Sequence, residues 1–331
     1  MCNFMKFIAF SRFLWMNAMV PGGAVKSRHG ISFWHGNCNF LKPGTRNQRN
    51  IIRAKCHSTS DIPCKKYLDV KCKIALVTGG NTGIGLAIAE TLLANGLQKA
   101  YISGIDNAAG VNALLMMNYK YGDGRCDYIP IDVNNYKQFE DAFKYITCRD
   151  GGVDILVNNA GMLNDESWEL QFDTNVKGVI RGSLLANKYM PTQKNRGGVV
   201  VNVSSILGFD TFPYAPGYNS TKHAVIGLTR SFGDVAKFRS NQVRHIAIGP
   251  GVTGTELIYE SGSRMLTEDW GRKTYAALNS LPYQTTDPVG RGTLYTIEYG
   301  PPGSLWIIED CLLERIIPPK RQSYQIKVKD L

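Results

Sequence analysis

Tyr218 and Lys222 are the residues whose types and spacing most directly suggest chemistry. They stand four positions apart in "GYNSTKHAVIGL", which has a helical pattern, so their side chains should share one helix face. A free tyrosine has a pKa of about 10 and is a poor base at neutral pH. An ammonium group about 4 Å away contributes about 4 kcal/mol at an effective dielectric constant of about 20. That could lower the phenol pKa by up to roughly three units, into the range of a general base for alcohol oxidation.

The same spacing also occurs by chance, and then it marks only a surface tyrosine beside a surface lysine. Proton transfer needs a defined pocket and a bound substrate. The choice between the two interpretations therefore depends on the elements that place this helix and on the residues they bring near it.

Strand patterns alternate with helical patterns from Lys73 onward. The strand patterns are "KIALVTGG", "KAYISGI", "CDYIPIDV", "VDILVNNAG", "GGVVVNVSS" and "QVRHIAIGPG", with "GSLWIIED" as a seventh. This alternation predicts a single α/β domain over residues 68–315, with a doubly wound parallel sheet of the Rossmann type and about seven strands. Such sheets bind ligands beyond the carboxyl ends of their strands.

The turn after the first strand carries "TGGNTGIG" at residues 78–85, directly before a helical pattern. Glycines allow a sharp turn and a close approach to a pyrophosphate, and a helix N-terminus offers unpaired N–H groups. This context predicts a dinucleotide site. Its candidate residues are Gly79, Asn81, Thr82, Gly83, Ile84 and Gly85.

Three later strand ends suit the same cofactor. Asp132 and Val133 close the third strand, where a carboxylate can reach an adenine amino group. "NNAG" closes the fourth strand and allows a close backbone approach to adenosine. "PGVTGT" follows the sixth strand and offers hydroxyl groups to the nicotinamide end. These two stretches add Asn159, Ala160, Gly161, Pro250, Gly251, Thr253 and Thr255 to the cofactor candidates.

The set of motifs resembles the short-chain dehydrogenase/reductase family. TGxxxGxG, DV, NNAG, an asparagine in the next helix, a serine after the fifth strand, YxxxK and PGxxxT occur in the family's order over residues 68–310. The resemblance implies hydride transfer between a secondary alcohol and a nicotinamide cofactor. It assigns catalysis to Asn175, Ser205, Tyr218 and Lys222, with Asn175 holding a water joined to Lys222. Tyr218 and Lys222 also count as cofactor contacts, Lys222 through the nicotinamide ribose.

Within the family, "DILVNNAGMLNDESWELQFDTNVKGVI" is similar to the NAD-dependent 15-hydroxyprostaglandin dehydrogenases and their insect relatives. This likeness implies an apolar or lipid-like alcohol or ketone as substrate. The family places its substrate lid at residues 256–285. The apolar residues there suggest a pocket, although a packed helix pair would have the same pattern. They are Leu257, Ile258, Tyr259, Met265, Leu266 and Trp270.

The end of the second strand departs from the family pattern. Gly104 stands where NAD-preferring members usually have an acid that binds the ribose hydroxyls, and Asp106 follows two positions later. Asp106 lies about twenty residues after Gly85, the distance expected for the ribose-binding acid. No arginine nearby would bind a 2′-phosphate, which favours NAD over NADP. A solvated turn residue is the other interpretation of Asp106.

The charge distribution excludes a nucleic-acid partner for the domain. The chain of 331 residues has a net charge of +11, but residues 1–70 contain eleven Lys and Arg and two acids, so the remainder is nearly neutral. The eight cysteines are scattered, and none stands at metal-ligand spacing, so no metal is expected.

Residues 1–67 are predicted to be a basic extension, either disordered or a mitochondrial presequence, and residues 316–331 a basic tail. No stretch is apolar and long enough to predict a membrane span. We expect a cytoplasmic homodimer or homotetramer, with a mitochondrial location if residues 1–60 are a presequence. Two functions fit the sequence, an NAD-dependent oxidoreductase and a catalytically idle member of the same fold that binds nucleotide or serves as an abundant structural protein.

Overall fold

The apolar runs form strands, and the segments between them form helices. The computed structural model describes residues 65–191, 197–319 and 321–324. The strands are β1 Ile74–Thr78, β2 Lys99–Gly104, β3 Cys126–Pro130, β4 Ile155–Asn158, β5 Gly198–Val203, β6 Val243–Pro250, β7 Val252–Thr253, β8 Tyr283–Gln284, β9 Leu305–Glu309 and β10 Leu312–Ile316. The α-helices are α1 Gly83–Ala94, α2 Asn107–Tyr121, α3 Tyr136–Asp150, α4 Trp168–Phe172, α5 Gly178–Tyr189, α6 Pro216–Phe232, α7 Val235–Asn241, α8 Glu256–Tyr259, α9 Glu268–Asn279 and α10 Thr286–Tyr299. A π-helical turn spans Asp173–Lys177, and 3₁₀ turns span Ile206–Gly208, Ser261–Ser263 and Arg321–Tyr324.

The main sheet has the strand order β10-β9-β6-β5-β4-β1-β2-β3. Every neighbouring pair is parallel except β9–β10, so the doubly wound fold predicted from the sequence is confirmed. The chain runs outward from β1 to β2 and β3, and then returns to β4 on the other side of β1. The strand order reverses between β1 and β4, and ligands bind at such a reversal.

The sequence predicts about seven strands in this sheet, and the eighth is the antiparallel edge strand β10. The chain turns back after β9 through Asp310 and Cys311, which have φ of 49° and 61°. No residue of β10 is fully buried. Its sequence, "LLERI", accordingly has no apolar run like those of the central strands, which is why the strand was not predicted. β10 ends at Ile316, one residue beyond the predicted end of the domain.

The sheet buries an apolar core on each face because successive strand residues point to opposite sides. Ala75 and Val77 of β1 pack in the core that includes residues of α1, α2 and α10. Ile74 and Leu76 pack on the other side, in the core that includes residues of α3 and α5. The sheet is therefore covered by helices on both faces, which leaves the ends of the strands for a site.

The described part of the chain begins with contacts to the last helix and to β6. The Tyr67 N–H donates to Glu298 O at 2.7 Å, and Lys66 pairs with the Glu298 carboxylate at 2.8 Å. The guanidinium carbon of Arg244 lies 4.9 Å from the centroid of the Tyr67 ring.

The predicted extension lies outside the described residues except for its last three. No helix within the described ranges is long and apolar enough to cross a membrane.

These contacts predict where the folded domain begins. A chain that starts at Lys65 should be as stable as the full chain. A chain that starts at Val70 should lose about 1–3 kcal/mol, because Tyr67 no longer covers the buried guanidinium of Arg244. Urea unfolding of the two shortened chains measures the difference. Insoluble protein from the chain starting at Lys65 would place the domain boundary earlier.

Candidate active site

The turn between β1 and α1 forms a glycine-lined cradle. Gly79 and Gly83 have φ of 59° and 54°, in the left-handed region where other residues are strained. A Cβ at Gly85 would lie 2.3 Å from Gly79 O, so α1 packs directly on the turn. Thr82, the N-cap residue of α1, makes no side-chain capping bond, and the first turn of the helix has no acid. The N–H groups at this helix end therefore suit a phosphate.

Thr78 and Asn159 fix this cradle to the end of β4. The Thr78 hydroxyl accepts the backbone N–H groups of Asn159 and Ala160 at 3.0 and 3.1 Å. The Asn159 side-chain amide donates to Thr78 O and to Gly79 O, each at 3.0 Å. Asn159 lines the cavity as a predicted cofactor residue, but its side chain is committed to bracing the glycine turn.

The end of β2 lies beside the cradle. A Cβ at Gly104 would come within 2.4 Å of Asn81 Oδ1, so the Asn81 side chain occupies the space where an acid at position 104 would begin. Asp106 is exposed and caps α2, because its carboxylate accepts the Ala109 N–H at 3.0 Å. Asn81, Gly104 and Asp106 all line the same cavity. Asp106 is thus both a capping residue and a candidate ribose ligand.

The other predicted cofactor residues continue along this cavity. Asp132 follows β3, and its carboxylate accepts the Asn134 N–H at 2.8 Å. On the far side, Thr253 and Thr255 follow β6, and the methyl group of Thr255 would lie 3.2 Å from a Cβ at Gly83. The cavity is also lined by Ile84, Val133, Ala160, Gly161, Pro250 and Gly251.

Three of the predicted catalytic residues meet at the carboxyl end of β5. Ser205 and Tyr218 line the same part of the cavity, and the Ser205 hydroxyl is close enough to the phenol to act on its pKa. The Lys222 ammonium lies 5.4 Å from the centroid of the Tyr218 ring and donates to Val203 O at 3.1 Å. The neighbouring Ser204 hydroxyl instead donates to the backbone carbonyl of Lys222 at 2.9 Å. The two serines therefore contact different parts of α6, and Ser205 is the one at the phenol.

Burial governs the pKa values of this pair. It raises the pKa of the Tyr218 phenol to about 12, although the hydrogen bond from Ser205 acts in the opposite direction. Burial also lowers the pKa of the Lys222 ammonium to about 8. The sequence-based expectation that the Lys222 charge lowers the phenol pKa by up to roughly three units is not met, because the pKa is raised. Desolvation outweighs the lysine charge among the residues of the chain itself.

Asn175 lies in the π-helical turn, within a segment that the sequence predicts as continuous helix. Its side-chain amide donates to Met162 O at 2.8 Å and to the Thr221 hydroxyl at 3.1 Å, and its oxygen accepts the Met162 N–H at 2.9 Å. A Cβ at Gly161 would lie 3.1 Å from Asn175 Oδ1 and 3.7 Å from Lys222 Nζ. Asn175 and Lys222 thus face each other across Gly161 without a direct hydrogen bond.

The glycine cradle and the tyrosine–lysine pair open into one cavity of about 970 Å³. The predicted lid contributes Leu257, Ile258 and Tyr259 to its wall, and Leu170 adds a further apolar side chain. Other predicted lid residues lie elsewhere. Met265 is buried in the adjoining core, where Trp270 packs against it, and Leu266 is half exposed.

The family of the chain follows from comparison with known proteins. The sequence profile of the short chain dehydrogenases matches residues 73–265, which contain the cradle, the serine and the tyrosine–lysine pair. The chain belongs to the short-chain dehydrogenase family. The resemblance predicted from the motifs is confirmed.

This short-chain dehydrogenase is similar to proteins of two kinds. It is 36% identical over 192 residues to the NAD(+) 15-hydroxyprostaglandin dehydrogenase of Macaca fascicularis, which covers 58% of the chain and 72% of the relative. It is 35% identical to the human enzyme of the same name with the same coverage. Alcohol dehydrogenase 1 of Ceratitis capitata is 29% identical over 248 residues, or 74% of the chain and 95% of the relative.

A solved structure shares the fold. It is the L-sorbose reductase of Gluconobacter frateurii, complexed with NADPH and L-sorbose. The TM-score is 0.63 at 21% identity, and the match covers 73% of the chain and 98% of that protein. The predicted Rossmann-type architecture is therefore that of known reductases.

Two residues of this short-chain dehydrogenase carry structural roles that sequence reasoning did not assign. Thr78 opens the glycine motif, and its hydroxyl joins β1 to β4. Asp165 accepts the backbone N–H of Tyr218 at 2.8 Å from a distant loop. Thr78 could have been found as the polar residue that ends an apolar strand. No spacing or periodicity in "MLNDESW" distinguishes Asp165.

Replacing Lys222 by methionine should stabilise the dinucleotide-free protein. The fall of the lysine pKa from 10.5 to about 8 means that holding its charge out of water costs on the order of 3 kcal/mol at neutral pH. Methionine fills a similar space without charge. After the lost bond to Val203 O is counted, the free energy of unfolding should rise by about 2 kcal/mol in urea unfolding near neutral pH.

The pH dependence is a second measurement on the same variant. Between pH 8 and 10.5 the unfolded wild-type chain keeps the Lys222 proton while the folded protein releases it. Folding stability therefore rises with pH across this window, and the Lys222→Met protein lacks that rise. A variant that is less stable than wild type below pH 8 would contradict the direction of the Lys222 pKa.

Proposed function

We propose that the protein oxidises a secondary alcohol on an apolar or lipid-like small molecule, with NAD as the hydride acceptor. The observation that carries the proposal is one continuous cavity. It begins at a glycine cradle suited to a pyrophosphate and ends at the Ser205–Tyr218–Lys222 cluster. The family consists of oxidoreductases, so the proposal concerns the acceptor, the substrate and the roles of individual residues.

The cavity fits a nicotinamide dinucleotide. The uncapped N-terminus of α1 would bind the pyrophosphate, and Asp132, which lines the cavity, would bind the adenine. Thr253 and Thr255 offer hydroxyl groups on the nicotinamide side, and Lys222 is placed to bind the nicotinamide ribose. When bound, oxidised NAD supplies the hydride acceptor and a positive ring charge.

Tyr218 is the proposed general base. Its phenol first gives up its own proton, and the resulting phenolate takes the proton of the substrate hydroxyl, while the Ser205 hydroxyl beside it holds the substrate oxygen. The Lys222 ammonium is close enough to stabilise the phenolate, and with a pKa of about 8 it is mostly charged at neutral pH. The proton moves toward Lys222 as the ammonium releases one of its own protons to solvent, and we propose that this path runs past Gly161, where Asn175 faces Lys222.

The substrate class rests on the cavity wall beyond Tyr218. Leu170, Leu257 and Ile258 line this part, so an apolar chain or ring would lose water on binding there. The names of the similar dehydrogenases support a hydroxylated lipid such as a hydroxyprostaglandin. The reverse reaction on the corresponding ketone uses the same residues.

NAD is favoured over NADP by the charge at the end of β2. Asp106 lines the cavity there, and its carboxylate would repel a 2′-phosphate. Among the described residues that line the cavity, the cations are Lys222 and Arg264, and both lie outside the β2–α2 turn. The similar prostaglandin dehydrogenases carry NAD(+) in their names. A cytoplasmic location and a homodimer or homotetramer remain predictions.

Turnover can be measured by NADH absorbance on a panel of secondary alcohols, hydroxy fatty acids, steroids and hydroxyprostaglandins. We expect turnover on the apolar classes, and a loss of at least about 100-fold in Tyr218→Phe because the base is removed. The Kd for NAD should stay within about threefold, since the phenol acts on the substrate proton. Tyr145→Phe, on α3 and outside the cavity, is the matched control and should be unchanged.

Two outcomes would contradict this function. NAD binding without turnover on any class would indicate a catalytically idle nucleotide-binding protein. Turnover of Tyr218→Phe near that of wild type would exclude the phenol as the base.

Cofactor choice is tested by Asp106→Asn. Asparagine is as good an N-cap as aspartate, so α2 should remain capped while the negative charge is lost. The ratio of the Kd values for NADP and NAD should fall by at least about fivefold, since like-charge repulsion is removed. Asp123→Asn, outside the cavity, is the charge-matched control. An unchanged ratio would assign Asp106 to the helix cap alone.

A further inference from the structure

Asp165 is a buried carboxylate at the start of the helix that carries Tyr218 and Lys222. Its side chain belongs to a residue that is 1% exposed. One oxygen accepts the Gly217 N–H at 2.7 Å, and the other accepts the Tyr218 N–H at 2.8 Å. The second oxygen also accepts from the Gln171 side-chain amide at 2.9 Å.

These bonds replace a local helix cap. The first N–H groups of an α-helix have no partner within the helix. Ala215, the N-cap residue of α6, has no side chain that can accept them, and Pro216 follows at the first helical position. Asp165 serves the next two N–H groups from a loop more than fifty residues earlier in the chain.

Asp165 is itself held in place. Gln171 is fully buried, and its side-chain oxygen accepts the Asn164 N–H at 2.7 Å while its amide group binds Asp165. The next residue, Glu166, donates its N–H to Arg264 O at 3.3 Å, within the predicted lid segment. The carboxylate is therefore a fixed point between α4, the lid and α6.

We propose that Asp165 is a positioning residue for the reaction. It bonds the backbone of Tyr218 itself, so it sets the position of the phenol relative to Ser205, which follows β5. Lys222 lies one turn further along the same helix and moves with it. The inference rests on the proposed function, because position matters to turnover only if Tyr218 is the base.

A purely stabilising carboxylate would behave differently. Its loss would lower the free energy of unfolding and leave turnover per folded molecule unchanged. A positioning carboxylate affects kcat in the folded fraction, because a displacement of about 1 Å at the reacting group can cost about 100-fold in rate. It should change dinucleotide binding far less than kcat, since Tyr218 and Lys222 are the proposed cofactor residues on α6 and the glycine cradle lies at the start of α1.

The test compares two variants with one control. Asp165→Asn places an amide group against an N–H donor. Gly217→Ala adds a Cβ at 3.0 Å from the Asp165 carboxylate, in a helix where alanine is favoured over glycine by about 1 kcal/mol. Asp154→Asn is the matched control, because Asp154 is also a buried carboxylate that accepts a backbone N–H, from Ile74 at 3.0 Å, outside the cavity.

Two readouts are measured on each protein. Hydrogen exchange of at least one of the Gly217 and Tyr218 amides should accelerate by at least about tenfold in Asp165→Asn, since asparagine keeps only one of the two accepting oxygens. The kcat per dinucleotide-binding site should fall by about 10- to 100-fold in both variants, with the Kd for NAD within about twofold. Asp154→Asn should lose stability and keep both values.

The outcomes separate the two proposals. Unchanged amide exchange, or a kcat within about twofold of wild type in Gly217→Ala, overturns the role of Asp165. If Asp165→Asn does not fold, Gly217→Ala carries the test alone. If the wild-type protein oxidises no alcohol, the proposed function fails, and the exchange rates still decide whether Asp165 sets the start of α6.

Discussion

The burial of a lysine beside a tyrosine is the constraint on which the site depends. Desolvation pushes both groups toward their neutral forms, with the phenol pKa at about 12 and the ammonium pKa at about 8. A phenol with a pKa of about 12 stays protonated at neutral pH and is then a poor base. The site therefore needs additional positive charge near the phenol and a fixed geometry, since favourable Coulomb energy falls with distance. The surrounding elements supply that geometry.

The ends of two adjacent strands of the parallel sheet, β5 and β4, fix most of the geometry around Tyr218 and Lys222. β5 places Val203 O against the Lys222 ammonium, Ser204 against the Lys222 carbonyl and Ser205 against the phenol. Val203 and Ser204 thus contact the side-chain ammonium and the backbone carbonyl of Lys222. β4 continues into Gly161, which leaves room between Asn175 and Lys222. These contacts hold α6 against the carboxyl ends of β4 and β5.

Much of this arrangement could be predicted from the sequence, because strand ends meet at one edge of a parallel sheet. The cradle, the cavity and the meeting of Ser205 with Tyr218 and Lys222 all follow from that rule. The edge strand β10 could not be predicted, since its exposed sequence has no apolar period. The pKa of Tyr218 also depends on burial, which a four-residue spacing does not report. The role of the Asn159 side chain could not be predicted either. Its amide donates to Thr78 O and Gly79 O, which lie about eighty residues earlier, and such distant partners leave no local pattern in the sequence.

The predicted lid segment, residues 256–285, is hydrogen-bonded to the residues that precede or fix the start of α6. The Glu166 N–H bonds Arg264 O, and the Thr274 hydroxyl on α9 donates to Tyr214 O, two residues before α6 begins. Both contacts join lid segments to the chain that fixes the start of α6. A substrate that presses on Leu257 or Ile258 therefore acts on the same framework that holds Tyr218. With Tyr218 as the proposed base, differences in the packing of residues 256–285 should change turnover as well as binding.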